Sequence, residues 1–230
     1  MSAFVWVMPA EFALTLRSLP LLTALDLSNY AGLIAIGLLT TNILLGLLLS
    51  VKYNPVRQWP RRRVNTVALH NWTGYTALAV SFAHPVLLLF SATAGFGVID
   101  LLWPIGAPKQ PLVNTFGAVA FWLLLFIVTT SVLWQERRAI SRRLWKRFHF
   151  ATYGMFPIYA VHSLLTDPAL KDRPFDPLDA EKVFVELCIL LVVVGIALRV
   201  RHQLRRPPPR PHRPKASHPP IVRGNIEATE

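Results

Sequence analysis

The sequence is poor in charge and in cysteine. Only 16% of its 230 residues are charged and 53% are hydrophobic. The polar residues gather between long apolar runs, which is typical of an integral membrane protein rather than a soluble domain. Cys188 is the single cysteine, so the chain forms no internal disulfide. The sequence also lacks a glycine-rich dinucleotide motif and a hydrolytic Ser-His-Asp or Cys-His arrangement.

Acidic residues are scarce as well. Twelve Asp and Glu stand against 24 Lys and Arg, which gives a formal net charge of +12. In a soluble domain this excess would indicate nucleic-acid binding. Here most of it lies between apolar runs, which indicates the cytoplasmic face of a membrane protein and contact with anionic lipid. We therefore expect membrane lipid, and no nucleic acid, among the partners.

Five apolar runs are long enough to cross a hydrocarbon core, which takes about 20 helical residues. Helices are expected because every backbone amide in lipid must be satisfied within its own segment. The sequence thus predicts an all-α, polytopic membrane helix bundle. Its five transmembrane helices are expected at about residues 30–51, 66–92, 113–134, 149–166 and 182–199.

Positive charge orients this bundle. The segments 52–65 and 135–147 carry five and six basic residues, and the chain from Arg199 onward carries eight more, which places 19 of the 24 Lys and Arg on one side. The positive-inside rule predicts that these segments and the C-terminus are cytoplasmic. We expect a multi-pass protein of a bacterial cytoplasmic membrane.

Both ends of the chain are expected to lie outside the five-helix bundle. Residues 1–29 are apolar but interrupted by Pro, Glu and Arg, which indicates either an interfacial helix on the outer surface or a sixth span. Residues 200–230 are basic and proline-rich, which predicts a disordered cytoplasmic tail. The membrane domain is therefore assigned to residues 30–199.

Four histidines lie within the apolar runs, two on each of two runs: His70 and His84, then His149 and His162. Ionisable residues within spans are rare and generally face a bundle interior with a partner. His70 and His84 are fourteen residues apart, a rise of about 21 Å and a rotation within about 40° of the same helix face. His149 and His162 are thirteen apart, so the two pairs have nearly equal vertical separation.

The two histidine runs are predicted to be parallel, because one crossing separates them. His70 then meets His149 near the cytoplasmic face, and His84 meets His162 near the outer face. Facing imidazoles at two depths are suited to hold two stacked b-type haems by their irons, so all four are candidate axial ligands. A free transition-metal site is less favoured, because no Cys, Asp or Glu is expected at either depth to complete its ligand shell.

The spacing of thirteen residues between His149 and His162 does not by itself fit this arrangement. On an ideal helix it turns the second side chain about 140° away from the first. Gly154 and Pro157 lie between His149 and His162, and proline kinks helices. The sequence therefore predicts a kink or local rewinding there that brings His162 round. Pro85 is expected to adjust the other histidine helix in the same way.

The ordinary interpretation of a histidine in a span is a polar residue bonded to a neighbouring carbonyl. Four of them, paired and matched in depth, favour ligands. Basic residues near the helix ends are candidate partners of haem propionates, although on the cytoplasmic side they are at least equally suited to setting topology alone. These candidates are Arg61, Arg62, Arg63, Lys146 and Arg147 on the cytoplasmic side, and Lys109, Lys171 and Arg173 on the outer side.

The stretches LHNWTGYTALAVSFAHP and HFATYGMFPIYAVH resemble the ferric reductase-like transmembrane domain. This domain is shared by NADPH oxidases, yeast-type ferric reductases and the bacterial haem subunit of a periplasmic methionine sulfoxide reductase. The likeness is a histidine pair with thirteen intervening residues on one span and a pair with twelve on the next span but one. It covers about residues 30–199. It implies that the four histidines ligate two haem b groups and that electrons pass outward.

Members of this family commonly have six spans, and the larger members continue into cytosolic FAD and NADPH domains. This chain departs from both features. We expect electrons to come from a separate flavin reductase, from FMN or FAD at the basic loops or on a partner, or from quinol. The expected acceptor is a ferric chelate, oxygen or a periplasmic redox protein. The chain is thus interpreted as an oxidoreductase component without its own FAD or NADPH domain.

Two alternatives to outward electron transfer stay open at this point. One is a quinol-oxidising cytochrome b subunit of a larger complex. The other is a non-redox membrane protein or transporter whose histidines relay protons or metals.

Overall fold

The computed structural model describes residues 22–51, 65–171 and 173–205. Within these ranges the chain is helical and contains no strand, as the sequence predicts. The predictions for the first 21 residues, for the basic residues 61–63 and for the tail beyond residue 205 lie outside the described residues.

The helices vary widely in length. In chain order they are α1 (Ala24–Ser50), α2 (Thr66–Leu88), α3 (Val98–Leu102), a 3₁₀ helix (Pro104–Gly106), α4 (Pro111–Gln135), α5 (Arg142–His149), α6 (Thr152–Leu165) and α7 (Ala180–Leu204).

Polar caps set the first residues of α1 and α2. Thr23 and Asp26 form a capping box: the Thr23 N–H donates to Asp26 Oδ2 at 2.9 Å, and the Asp26 N–H donates to Thr23 Oγ1 at 3.2 Å. Helix α1 therefore begins at Ala24, six residues before the predicted start of the first span. The Asn65 side chain caps α2 by accepting from two backbone N–H groups.

Helices α1, α4 and α7 are long and apolar enough to cross a membrane. The chain is therefore a membrane protein. Helix α2 has 23 residues but carries several polar groups, and α6 has only 14 residues, a rise of about 21 Å. Neither is among the three. The prediction of five spans is thus supported for three helices and stays a prediction for the two that carry the histidines.

Helices α1 and α4 hold the bundle together. Helix α1 packs against α2, α6 and α7, and α4 packs against α2, α5 and α6. Ala35 and Ile36 of α1 are fully buried at the centre, beside Met155 of α6 and Val185 of α7. Helices α2 and α6 are thus placed by contacts with both α1 and α4, and α5, which ends at His149, is placed by α4.

A turn at Phe150 and Ala151 divides the predicted span 149–166. Helix α5 ends at His149, and α6 begins at Thr152. Backbone N–H groups through this turn donate to the carbonyl three residues back, at 3.0 to 3.1 Å. This is tighter winding than that of an α-helix.

The tighter turn accommodates the thirteen-residue spacing between His149 and His162. Each residue in 3₁₀ winding turns about 120° instead of about 100°, so the three residues bonded in this way, Ala151, Tyr153 and Gly154, recover part of the missing rotation. The rewinding expected between the two histidines is present, but its predicted location is corrected. It begins at the turn and ends at Gly154, ahead of Pro157, which is accommodated inside α6.

Gly195 brings α7 close to α1. A Cβ atom there would lie 2.9 Å from Cδ2 of Leu44 and 3.0 Å from Cδ1 of Leu47. Gly195→Leu is expected to lower the free energy of unfolding by about 1–3 kcal/mol through overpacking, measured by thermal unfolding in detergent. Ala197→Leu, at an exposed position of the same helix, is the control and should change stability little. An equal loss in both variants would contradict this packing.

Candidate functional site

The structure brings the four histidines together as two pairs. The rings of His70 and His149 have their centres 6.2 Å apart, with an angle of 68° between the ring planes. The rings of His84 and His162 have their centres 6.3 Å apart, at 74°. The two pairs therefore have nearly the same geometry at two levels of the bundle.

This separation has a chemical meaning. Two imidazoles on opposite sides of one metal ion, with metal–nitrogen bonds of about 2 Å, have their ring centres about 6 Å apart. A direct hydrogen bond between the rings would bring two nitrogens to about 3 Å. Neither pair makes such a bond in the described part of the chain. The hydrogen bonds of His70, His84 and His162 are made by Nδ1 and go to backbone carbonyls of other helices.

Helix α1 holds the two histidines of α2 through a repeated clamp. The Nδ1–H of His70 donates to the Asn42 carbonyl at 3.1 Å, and the Nδ1–H of His84 donates to the Ser28 carbonyl at 2.7 Å. In return, the Asn42 amide and the Ser28 hydroxyl donate to the carbonyls of the histidines that they hold. A carbonyl only accepts, so Nδ1 carries the proton and the lone pair of Nε2 is left free.

A glycine one helical turn after each clamp makes room for the ring. A Cβ atom at Gly32 would lie 3.2 Å from Cε1 of His84, and one at Gly46 would lie 3.3 Å from Cε1 of His70. Each glycine follows its clamp residue by four positions and therefore shares its helix face.

Helix α4 supplies a third copy of this arrangement. The Nδ1–H of His162 donates to the Val113 carbonyl at 2.8 Å. A Cβ atom at Gly117, four residues further on, would lie only 2.7 Å from Cε1 of His162. Real Cβ atoms do not approach so closely, so only glycine fits Gly117 with the ring in this position.

His149 is held differently from the other three. Thirteen residues beyond Val113 and Gly117, α4 has Phe126 and Thr130, and the Thr130 hydroxyl donates to the Phe126 carbonyl at 2.9 Å. Nδ1 of His149 is buried and has no hydrogen-bond partner in the described structure.

Aromatic contacts position His149 instead. The Trp145 ring lies 5.2 Å from the imidazole and stacks at 4.1 Å on Trp134 of α4. The Trp145 indole N–H donates to the Ser131 hydroxyl at 3.2 Å. The short basic helix α5 is thereby attached to the end of α4.

Two cavities flank the His84–His162 pair. One of about 480 Å³ lies toward α1 and α7, and one of about 720 Å³ lies toward α4, each measured with its open mouth. Both are bordered by the two histidines and by Tyr159. Consistent with this space, α2 and α6 are not among the helix pairs that pack closely together.

Comparison with known families identifies the chain. Residues 31–160, more than half of the chain, match the family described as ferric reductase like transmembrane component. The chain belongs to this family. The matched range contains His70, His84 and His149 and ends two residues before His162. No curated protein and no solved structure matches the chain.

The residues of this ferric reductase-like chain fit the two haems that the sequence predicts. Each pair has the ring separation of opposed metal ligands. A flat macrocycle held between His84 and His162 would extend into the cavities on both sides of the pair. No group of three or more His, Cys, Asp or Glu side chains suited to a free metal ion occurs in the described residues. The role of the four histidines as axial ligands stays a prediction.

The residues that hold the histidines were missed by the sequence analysis. Ser28 and Gly32 recur fourteen residues later as Asn42 and Gly46, with the same period as His70 and His84. This repeat of a polar residue followed by glycine four positions later could have been recognised in the sequence. The third copy was not, because Val113 contributes only its backbone carbonyl.

These hydrogen bonds can be tested by ¹⁵N-histidine NMR under reducing conditions. We expect Nδ1-protonated tautomers for His70, His84 and His162, with a distinct signal for His149. Gly117→Ala should displace the His162 ring and alter the signals of His162 and of its partner His84, while those of His70 and His149 stay unchanged. Gly106→Ala is the control, because a Cβ atom there meets no neighbour within 4 Å. An Nε2-protonated His162 in the unaltered protein would contradict the clamp.

Proposed function

We propose that this chain is a di-haem b-type membrane cytochrome that carries electrons across the membrane. The observation that carries the proposal is the pair of matched histidine geometries, with ring centres 6.2 Å and 6.3 Å apart. Membership of the ferric reductase-like family supports the same assignment.

Two haems are proposed because the pairs lie at different depths. His70 and His84 are fourteen positions apart, a helical rise of about 21 Å, too far for one macrocycle to be bound by both pairs. His70 with His149 holds one group, and His84 with His162 holds the other.

The ligand type indicates electron transfer. A haem with a histidine on each side passes single electrons and has no open iron position, which disfavours oxygen binding at iron. The histidines and their clamps hold the rings in place, so little reorganisation accompanies each transfer. An acceptor is then reduced at the exposed edge of the site or on a partner protein.

The His70–His149 pair is assigned to the cytoplasmic side. Helix α5 ends at His149 and carries four basic residues, Arg142, Arg143, Lys146 and Arg147, and the positive-inside rule places such segments in the cytoplasm. Electrons then move from His70–His149 to His84–His162 and outward. We assign the chain to a bacterial cytoplasmic membrane with its C-terminus inside.

Helices α2 and α6 are proposed to cross the membrane, α6 together with the turn that precedes it, although α2 carries several polar groups and α6 has only 14 residues. Their polar side chains include the histidines, and these face the bundle interior, where they are satisfied by α1 and α4. Polar residues that face a bundle interior are tolerated within a span.

The donor and acceptor are proposed as chemical classes. The donor is a flavin reductase, FMN or FAD at the basic cytoplasmic side, or quinol. The acceptor is a ferric chelate, oxygen or a periplasmic redox protein. A donor and an acceptor at opposite membrane faces require redox centres between them, and the two histidine pairs are proposed to hold those centres.

Vesicle experiments test transmembrane transfer. In proteoliposomes that enclose ferricyanide, external dithionite should reduce the internal acceptor only when the protein is present. His70→Ala and His162→Ala should each lower the rate at least tenfold, because each breaks one level of the path. The control, His202→Ala, alters an exposed histidine near the end of α7 and should retain the full rate. Undiminished transfer in both site variants, each verified as folded by size exclusion, would contradict the proposal.

A further inference from the structure

Lys182 is a buried cation beside the His84–His162 pair. It lies in the first turn of α7 and is only 7% exposed. Its ammonium donates to the Ser163 carbonyl at 3.0 Å and to the Thr166 carbonyl at the end of α6. An ammonium has three N–H donors, so one remains for a further acceptor.

Lys182 makes no ion pair in the described part of the chain, although the carboxylates of Glu181, Asp179 and Asp167 lie close enough to attract its charge. In the described residues, the nearby ion pair joins Asp167 to Arg173 at 3.0 Å. The Arg173 guanidinium, helped by backbone N–H groups, holds the pKa of Asp167 well below its usual range. Glu181 borders the same cavity but makes no ion pair with Lys182. A buried cation that is not held in an ion pair carries a desolvation cost that a bound carboxylate would offset.

Lys182 borders the cavity of about 480 Å³ together with His84, His162 and Tyr159. The rest of the lining combines apolar side chains, including Leu33, Ile36 and Val185, with polar ones, including Asn29 and Glu181. This combination of an apolar wall and one cation suits an apolar ring that bears a carboxylate.

We propose that Lys182 binds a carboxylate in this cavity, namely a propionate of the macrocycle held between His84 and His162. The inference rests on the proposed function. It adds a buried candidate to the outer ones that the sequence suggested. Lys109 and Lys171 are exposed, and Arg173 is paired with Asp167.

Redox titration of the haem absorbance in the purified protein tests this inference. Removing a positive charge beside one haem disfavours its reduced form. Lys182→Met should therefore lower the reduced-to-oxidised ratio of one haem three- to tenfold at a fixed potential, a shift of about 30–60 mV to more negative values at 59 mV per tenfold. Lys182→Gln is a second neutral variant in case the first fails to fold. Lys182→Arg should keep the midpoint near that of the unaltered protein.

Arg201→Met is the matched control, since it removes a positive charge at an exposed position of the same helix. It should leave both midpoints unchanged. Unchanged midpoints in both neutral variants of Lys182, with two haems still bound, would overturn the inference and leave the proposed function intact. Unaltered protein without haem would overturn the proposed function itself.

A free carboxylate is the other source of the same chemistry. In that case Lys182→Met would leave both midpoints unchanged and raise the ferric citrate concentration needed for half-maximal reduction several-fold. This result would support a carboxylate site at Lys182 and overturn its assignment to the propionate.

Discussion

A buried imidazole must satisfy the hydrogen of one nitrogen before the other can serve as a ligand, and this constraint organises the bundle. In lipid no water is available to take that hydrogen bond. The chain solves the problem with a backbone carbonyl that accepts from Nδ1 and a glycine four residues later that leaves space for the ring. The solution appears for His70, His84 and His162. Metal-ligating histidines are commonly oriented by such bonds.

The constraint explains the roles of the helices around the site. Helix α1 lies against α2 so that Ser28 meets His84 and Asn42 meets His70. Both pairs of residues are fourteen positions apart on their helices, so one helix register holds both histidines. Helix α4 does the same for His162 alone. At His149 the chain instead uses a helix break and the Trp145 ring, so the two levels share a geometry but differ in how the rings are held.

Much of this could be predicted from the sequence, and the rest depends on contacts that leave weak local signals. Apolar runs and charge predict the helical membrane class, and the spacing of His70 and His84 predicts a shared face. The helix break at Phe150 was mislocated because no glycine or proline marks it. Lys182 looked like the first residue of a span. Only the packing of α7 on the end of α6 shows that its ammonium is buried beside the outer pair.

The most direct test of the account is the number and ligation of haems in the purified protein. A pyridine haemochrome assay combined with electron paramagnetic resonance measures both. The account predicts two b-type haems per chain, each low-spin and six-coordinate, and a single remaining haem in Gly117→Ala, where only the outer ring is displaced. A colourless protein from haem-replete cells, or a single high-spin haem, would contradict it.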